Sequence, residues 1–394
     1  MTREIRPSGA DTWMVCQGSP ALVEKLIDEG KIPAEETSEY ASLGTAAHTL
    51  GQICLEDGST PRDHEGEMIT ADGKEFEVDD NMIHAVEAYV EDVRRKAYGK
   101  RLMVEAVVPV GHLTRQQGQT GQADSIIISK KGKTTLEIDD YKHGQGIEVF
   151  AEKNRQMLIY ACGVVSKMLG NKKLPERITL TIHQPRIKSA PDSWTVSLAN
   201  VKKFGRKAIA AAKRARSLKP GEGLKPGPKQ CQWCKAKPFC DALHGQVAMV
   251  FDDIDDMTDT VQLPEEYKEL SARYMRLPLV EMWAKSVKET VHGLLDRGER
   301  VPDLKLVPGR RGNRAWGDEK EATAALQKLR LRKDQMFDQK LISPAKVESL
   351  LTDRQMSRLN EAGLIVQSEG KPTVAPSDDP RDEIVREQVF DNIE

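Results

Sequence analysis

The feature that most constrains the fold is a change in apolar spacing near residue 102. Before it the spacing is helical: an amphipathic run over 21–30, a run rich in small residues over 39–55, and a helix expected over 80–98 with Ile83, Val86, Tyr89, Val90 and Val93 on one face. The small residues of 39–55 let another element approach that backbone closely, and 57–80 is polar and turn-rich. After the change, "LMVEAVVPV" (102–110), "GQADSIIIS" (121–129) and "TTLEIDDYK" (134–142) read as three strands, the last two joined by "KKGK". A helix is expected over 149–169, and "RITLTIHQP" (177–185) and "SWTVSLA" (193–199) read as further strands. This succession specifies an α/β core.

A basic helix over 200–218 and a Pro/Gly-rich stretch lead into "CQWCKAKPFC". Near residue 250 the character shifts to an acidic segment, then a long helical stretch over 264–297. A basic patch (305–316), helical pieces near 318–332 and 344–362, and a polar tail from about 368 follow. The expected organisation is one domain over 1–245, a mostly helical accessory domain over 250–367 and a flexible tail over 368–394. A chain of 394 residues can hold two or three cores. With a net charge of −2, any nucleic-acid surface must be local. No run of about 18 apolar residues occurs, and the first residues lack the apolar core of a signal peptide, so a cytoplasmic protein with no membrane partner is expected.

The strand at 134–142 ends in Asp139-Asp140-Tyr141-Lys142 and breaks at His143-Gly144. Side chains alternate along a strand, so Asp140 and Lys142 share a face and Glu137 takes the other; the same alternation favours Asp140 over Asp139. Asp124 sits on the preceding strand, where a hairpin can bring it beside Asp140. Two converging carboxylates repel unless a cation lies between them, and such oxygen ligands suit Mg²⁺ or Mn²⁺. Glu105 is a weaker candidate for a supporting or substrate contact.

These residues carry a resemblance. "GQAD" followed by "DYKHG" resembles the PD-(D/E)XK nuclease core, in particular its RecB-like branch, whose strands end in a lone Asp and then in acid-x-Lys. His48 in "GTAAHTL" matches the upstream helical histidine of that branch, and Gln156 and Tyr160 in "QMLIY" match its Gln-x-x-x-Tyr pattern, one turn apart on a helix. The resemblance implies a restriction-endonuclease-like mixed central sheet flanked by helices, with a mostly helical C-terminal region beyond it. It implies a divalent ion held by His48, Asp124, Asp140 and the carbonyl of Tyr141, with Asp124, Asp140, Lys142, Gln156 and Tyr160 as catalytic residues.

Cys54 and Cys162 stand alone in apolar contexts and read as core thiols, whereas Cys231, Cys234 and Cys240 crowd together. Three thiolates fall one short of a closed tetrahedral site. One cysteine before the core, Cys16, and three after it resemble the iron-sulfur nucleases of the AddB type. That resemblance implies a [4Fe-4S] cluster clasping the two ends of the domain, with zinc as the alternative for four thiolates.

The implied activity is metal-dependent DNA hydrolysis, as an exonuclease in recombination, repair or phage DNA processing; phage-encoded proteins carry similar cores. Lys202, Lys203 and Arg206 on the basic helix, and Arg310, Arg311 and Arg314 beside Trp316, are the expected nucleic-acid contacts. Single-strand-binding or recombination proteins and a homo-oligomer are further associations compatible with this resemblance. The alternative is a nuclease-like fold that holds DNA ends or serves assembly without turnover.

Overall fold

The computed structural model describes residues 3, 5–34, 39–129, 134–169, 174–252, 263–305, 307, 354 and 357. Contacts divide the chain into two compact units, Met1–Pro302 and Asp303–Glu394, and every element named here belongs to the first. Its helices are α1 (Ala10–Trp13), α2 (Ser19–Asp28), α3 (Glu39–Asp57), α4 (Asp80–Ala97), α5 (Gly111–Thr114), α6 (Arg155–Gly163), α7 (Leu198–Ser217), α8 (Pro228–Cys231), α9 (Asp241–Asp252) and α10 (Leu263–Asp296). Its strands are β1 (Met68–Ala71), β2 (Lys74–Glu77), β3 (Arg101–Pro109), β4 (Thr120–Ser129), β5 (Thr135–Tyr141), β6 (Arg177–His183) and β7 (Asp192–Ser197). Arg310, Arg311, Arg314, Trp316, the expected helix at 318–332 and the tail from 368 lie outside the described residues; of 344–362 only Arg354 and Ser357, both helical, are described.

The fold is mixed α/β. Strands β3-β4-β5-β6-β7 form one sheet in that order, with β5 and β6 parallel and the other pairs antiparallel. The parallel pair needs a crossover, and α6 supplies its helix. On one face α3 and α4 pack Leu50, Val86 and Tyr89 against Ile127 and Tyr141. Gly51 of α3 lies under the Tyr89 ring, where an added Cβ would stand 3.3 Å from it, so the small residues do admit a close neighbour. On the other face α6 and α7 pack Ile159, Ala208 and Ala212 against Ile126, Ile128, Leu136, Ile138 and Leu180. No helix among the described residues is long and apolar enough to cross a membrane.

Alternation fails at one place in the sheet. Ala123 shares a core with Ile126 and Ile128, while Ala106 and Val108 share that core and Leu102 packs into the opposite one. Both strands therefore change face between these residues. The β3–β4 ladder pairs Val104 with Ser125 and Ala106 with Ala123 but has no pair between them, and Glu105 there has φ +42°, a left-handed value costly for a side-chain-bearing residue.

Two sequence expectations need correction. The turn-rich stretch 57–80 contains the hairpin β1–β2, whose Asp72 and Gly73 both have positive φ, as a two-residue type I′ turn requires. The helix expected from 149 begins only at Arg155: Asn154 caps it by accepting from Met157 N, and Lys153 is left-handed. The Val149 and Ala151 N–H groups donate instead to Gln184 Oε1 and Asp192 Oδ2. Arg216, at the end of the basic helix expected over 200–218, is a tie: it donates to the carbonyls of Thr114 and Arg3 and to Gln116 Oε1. Arg3 in turn donates to the Ala215, Arg216 and Leu218 carbonyls at the end of α7.

On the α4 face of β5, Asp139 is fully buried within a charged group. Lys96 Nζ lies 2.8 Å from Asp139 and 2.7 Å from Asp92, while His183 Nε2 stands 3.0 Å from Asp139 and Ser125 Oγ donates to it. Burial opposes ionisation of Asp139, yet His183 and Lys96 hold its pKa below the usual carboxylate range. Removing one partner of such a pair strands the other. Lys96→Met is expected to destabilise the protein by roughly 3–5 kcal/mol in urea unfolding, and Asp139→Asn in the same chain should recover part of that loss. A Lys96→Met protein as stable as wild type would contradict this account.

Candidate metal centre

The β4–β5 ladder runs from Ser129↔Thr135 to Ser125↔Asp139 and stops; β4 continues paired only with β3, and β5 only with β6. Where the strands part, Asp124 Oδ2 accepts the Tyr141 backbone N–H at 2.6 Å. From α3, His48 Nδ1 approaches Asp124 Oδ2 to 3.4 Å and Glu105 Oε1 to 3.9 Å, its ring edge-on to Tyr141. One ligand atom from each of His48, Glu105 and Asp124 lies within 4.8 Å of the other two. This acidic and histidine group could hold a metal ion. Asp92, Asp139 and His183 meet the same criterion, but there the Lys96 ammonium already lies against both carboxylates.

Asp140 adjoins the first group from β5. Lys142 Nζ lies 2.8 Å from Asp140 Oδ2, but that buried oxygen has no directed hydrogen bond among the described residues. The other oxygen, Oδ1, accepts from Gln156 Nε2 at 3.2 Å, and Gln156 also reaches Tyr160 Oη. Asp140 thus faces Lys142 and α6, while Asp139 and Glu137 face the opposite side with Lys96 and Lys100. Tyr141 enters through its backbone N–H and its ring.

Three supporting residues escaped the sequence reading or were underweighted. Glu105 joins His48 and Asp124 directly, and its carboxylate accepts from Gln122; only its left-handed backbone betrays it, which no sequence pattern shows. Gly121 makes room for Tyr160, since a Cβ there would stand 2.4 Å from the ring. Gln184 braces the loop after Lys142, donating to the carbonyls of Gly144 and Ile147 and accepting from Val149 N.

The four expected cluster cysteines line one small cleft between α2 and the turn after α8. All are free thiols; Cys16 Sγ accepts from Lys225 N and Cys231 Sγ from Gly227 N. Burial raises the pKa of Cys16 and Cys231 and pushes Cys234 up to about 12. Gly18, beside Cys16, packs so tightly on the loop before the cluster that a Cβ would stand 1.8 Å from the Glu222 carbonyl oxygen. Cys54 and Cys162 are buried apart from this group.

Residues 4–382 match a family model described as "Protein of unknown function (DUF2800)". The chain belongs to the DUF2800 family. The match runs through every site residue from Cys16 to Cys240, so the centre and the cysteines lie within the family's own extent.

In this DUF2800 chain the charged groups of the centre shift one another's protonation. Burial pushes Asp124 up to about 7, against the pull of His48. Burial also opposes charge on His48 and Lys142, but Asp124 with Glu105 raises the first, and Asp140 with Asp124 raises the second. Tyr160 is pushed up to about 12 by burial and by Asp140. Between its ordinary value of 3.8 and about 7, the folded Asp124 keeps a proton that the unfolded chain has released. In chelator, wild-type stability measured relative to Asp124→Asn should therefore fall as pH rises across that interval and level off above it. A pH-independent difference between the two proteins would refute the assignment.

Proposed function

We propose that the chain is a metal-dependent nuclease of the RecB-like PD-(D/E)XK kind, acting as a DNA exonuclease. The observation that carries this reading is that Asp124 and Asp140 are both buried where β4 and β5 part, close enough for Asp140 to oppose charge on Asp124, with His48 on the first and Lys142 on the second. His48, Glu105, Asp124 and Asp140 would hold Mg²⁺ or Mn²⁺, and the buried Asp140 Oδ2 offers a free lone pair for it. A bound divalent ion supplies Lewis acidity, lowering the pKa of a water and offsetting charge on the scissile phosphate. Lys142, kept protonated by the two carboxylates, orients the attacking water and steadies charge on the phosphate. Gln156 fixes the rotamer of Asp140, and Tyr160 fixes Gln156. Lys202, Lys203 and Arg206 are exposed on α7 and free to meet DNA phosphates.

The same reading gives the cysteines a [4Fe-4S] cluster. Thiolates around one zinc stand about 3.8 Å apart, given Zn–S bonds of about 2.3 Å. Among the described residues the cysteines form no group of three sulfurs within 4.8 Å of one another. The four line one cleft, and in the larger cluster each thiolate would bind its own iron.

Asp140→Ala and Lys142→Ala should each abolish Mn²⁺-dependent cleavage of labelled DNA while keeping the native circular-dichroism spectrum at the assay temperature, even though loss of one partner of the pair lowers the melting temperature. Undiminished cleavage by Asp140→Ala would sink the nuclease reading. Protein purified without oxygen should be brown with broad visible absorption, and Cys234→Ser should lose both the colour and several degrees of melting temperature. A colourless protein carrying stoichiometric zinc would replace the iron-sulfur assignment.

A further inference from the structure

A cavity of about 580 Å³ opens between α7, the start of α6 and the N-terminal segment. Four cations, Lys153, Arg155, Lys207 and Arg214, stand around it, with Phe204 and Leu158 between them, and among the described residues no acid lines it. Its size falls within the roughly 300–1,000 Å³ of ordinary ligand sites.

The four cations are not equivalent. Arg155 pairs with Asp11 and Lys153 with Glu152, whereas Lys207 and Arg214 have no acidic partner among the described residues. Two turns apart on α7, these two present one face to the cavity, about 10 Å apart along the helix axis. Lys153 is held left-handed at the rim, a conformation that costs energy and so requires support from its surroundings. Arg155 immediately precedes Gln156, whose amide reaches Asp140, so one turn of α6 carries both a wall of the cavity and a contact to the metal centre.

Cations around a cavity that also carries the Phe204 ring match a particular polyanion. A duplex keeps its bases stacked inside and offers the cavity only phosphates, whereas a single strand also offers base faces to Phe204 and Leu158. We infer that this cavity binds a single-stranded polynucleotide, with Lys207 and Arg214 on successive phosphates, and leads that strand to the metal centre. The inference rests on the nuclease reading for the destination of the strand, but the binding itself needs no metal.

The test uses the full chain in chelator and a fluorescein-labelled oligo(dT) of about 16 nucleotides, read by anisotropy against salt. Lys207→Ala/Arg214→Ala should bind at least about tenfold more weakly, with a salt slope shallower by about 0.7 for each lost phosphate contact. A control variant, Lys74→Ala/Lys288→Ala, changes the net charge equally at exposed positions away from the cavity and should bind like wild type. Unlabelled duplex should compete poorly. The inference fails if wild type does not bind, if the cavity variant binds like the control, or if duplex competes as well as single strand. Cleavage measured separately in Mn²⁺ tells the two readings apart: cavity-dependent binding without cleavage supports the cavity and removes the nuclease, while cleavage indifferent to Lys207 and Arg214 removes only the cavity.

Discussion

Asp139 and Asp140 are consecutive on β5, so their carboxylates leave the sheet on opposite faces, and both are almost fully buried. Each buried charge needs a cation, and the two faces answer differently. Behind the sheet, Lys96 and His183 hold Asp139 ionised as a closed, internally neutralised group. In front, Asp140 has Lys142 at 2.8 Å, and Asp124 beside it is pushed toward neutrality. The closed side anchors the strand, and the open side gathers His48, Glu105 and Asp124 beside the Asp140–Lys142 pair.

That opening depends on the sheet coming apart in a controlled way. Had the β4–β5 ladder continued past Ser125 and Asp139, the Tyr141 N–H would have met a carbonyl of β4; instead it meets the Asp124 side chain. The face change at Glu105 and Asp124 turns a third carboxylate toward His48. One strained residue therefore does two things: it reverses which core each strand serves and gathers ligands at the point of reversal.

Local chemistry was legible in the sequence where it follows from period and spacing. The α/β succession, the five sheet strands, the close approach of some neighbour to α3 and the division of Asp139 from Asp140 all follow from alternation, helical periodicity or the small residues of α3. The hairpin at Asp72-Gly73 was written in its turn residues, but its strands are too short and exposed to stand out. The true start of α6 was masked because the apolar run begins before the Asn154 cap, and the run's first amides are claimed by Gln184, just after β6, and by Asp192 of β7. Glu105, Gly121 and the cavity beside α7 arise from tertiary approach alone. A basic helix looks the same in sequence whether Arg216 is tied to Arg3 or Arg214 is free.

The N-terminal segment is tied back to the end of α7 by hydrogen bonds, and the proposed cluster would tie it a second time. Arg3 and Arg216 exchange hydrogen bonds with each other's backbone and with the end of α7, a set of charge-to-carbonyl bonds worth on the order of 1.5–3 kcal/mol each when buried. The cysteines would add a covalent-strength link between residues 16 and 231, closing a loop so long that its exact length matters little, since each doubling costs only about 0.6 kcal/mol. What the link gains is position. Cys16 sits between α1 and α2, and α1 packs on α6, which carries Gln156. Fixing that end of the chain fixes the N-terminal wall of the cavity and, through α6, the side chain that orients Asp140. A cluster of the kind proposed above, though remote from the carboxylates, would then reach their geometry through one short helix.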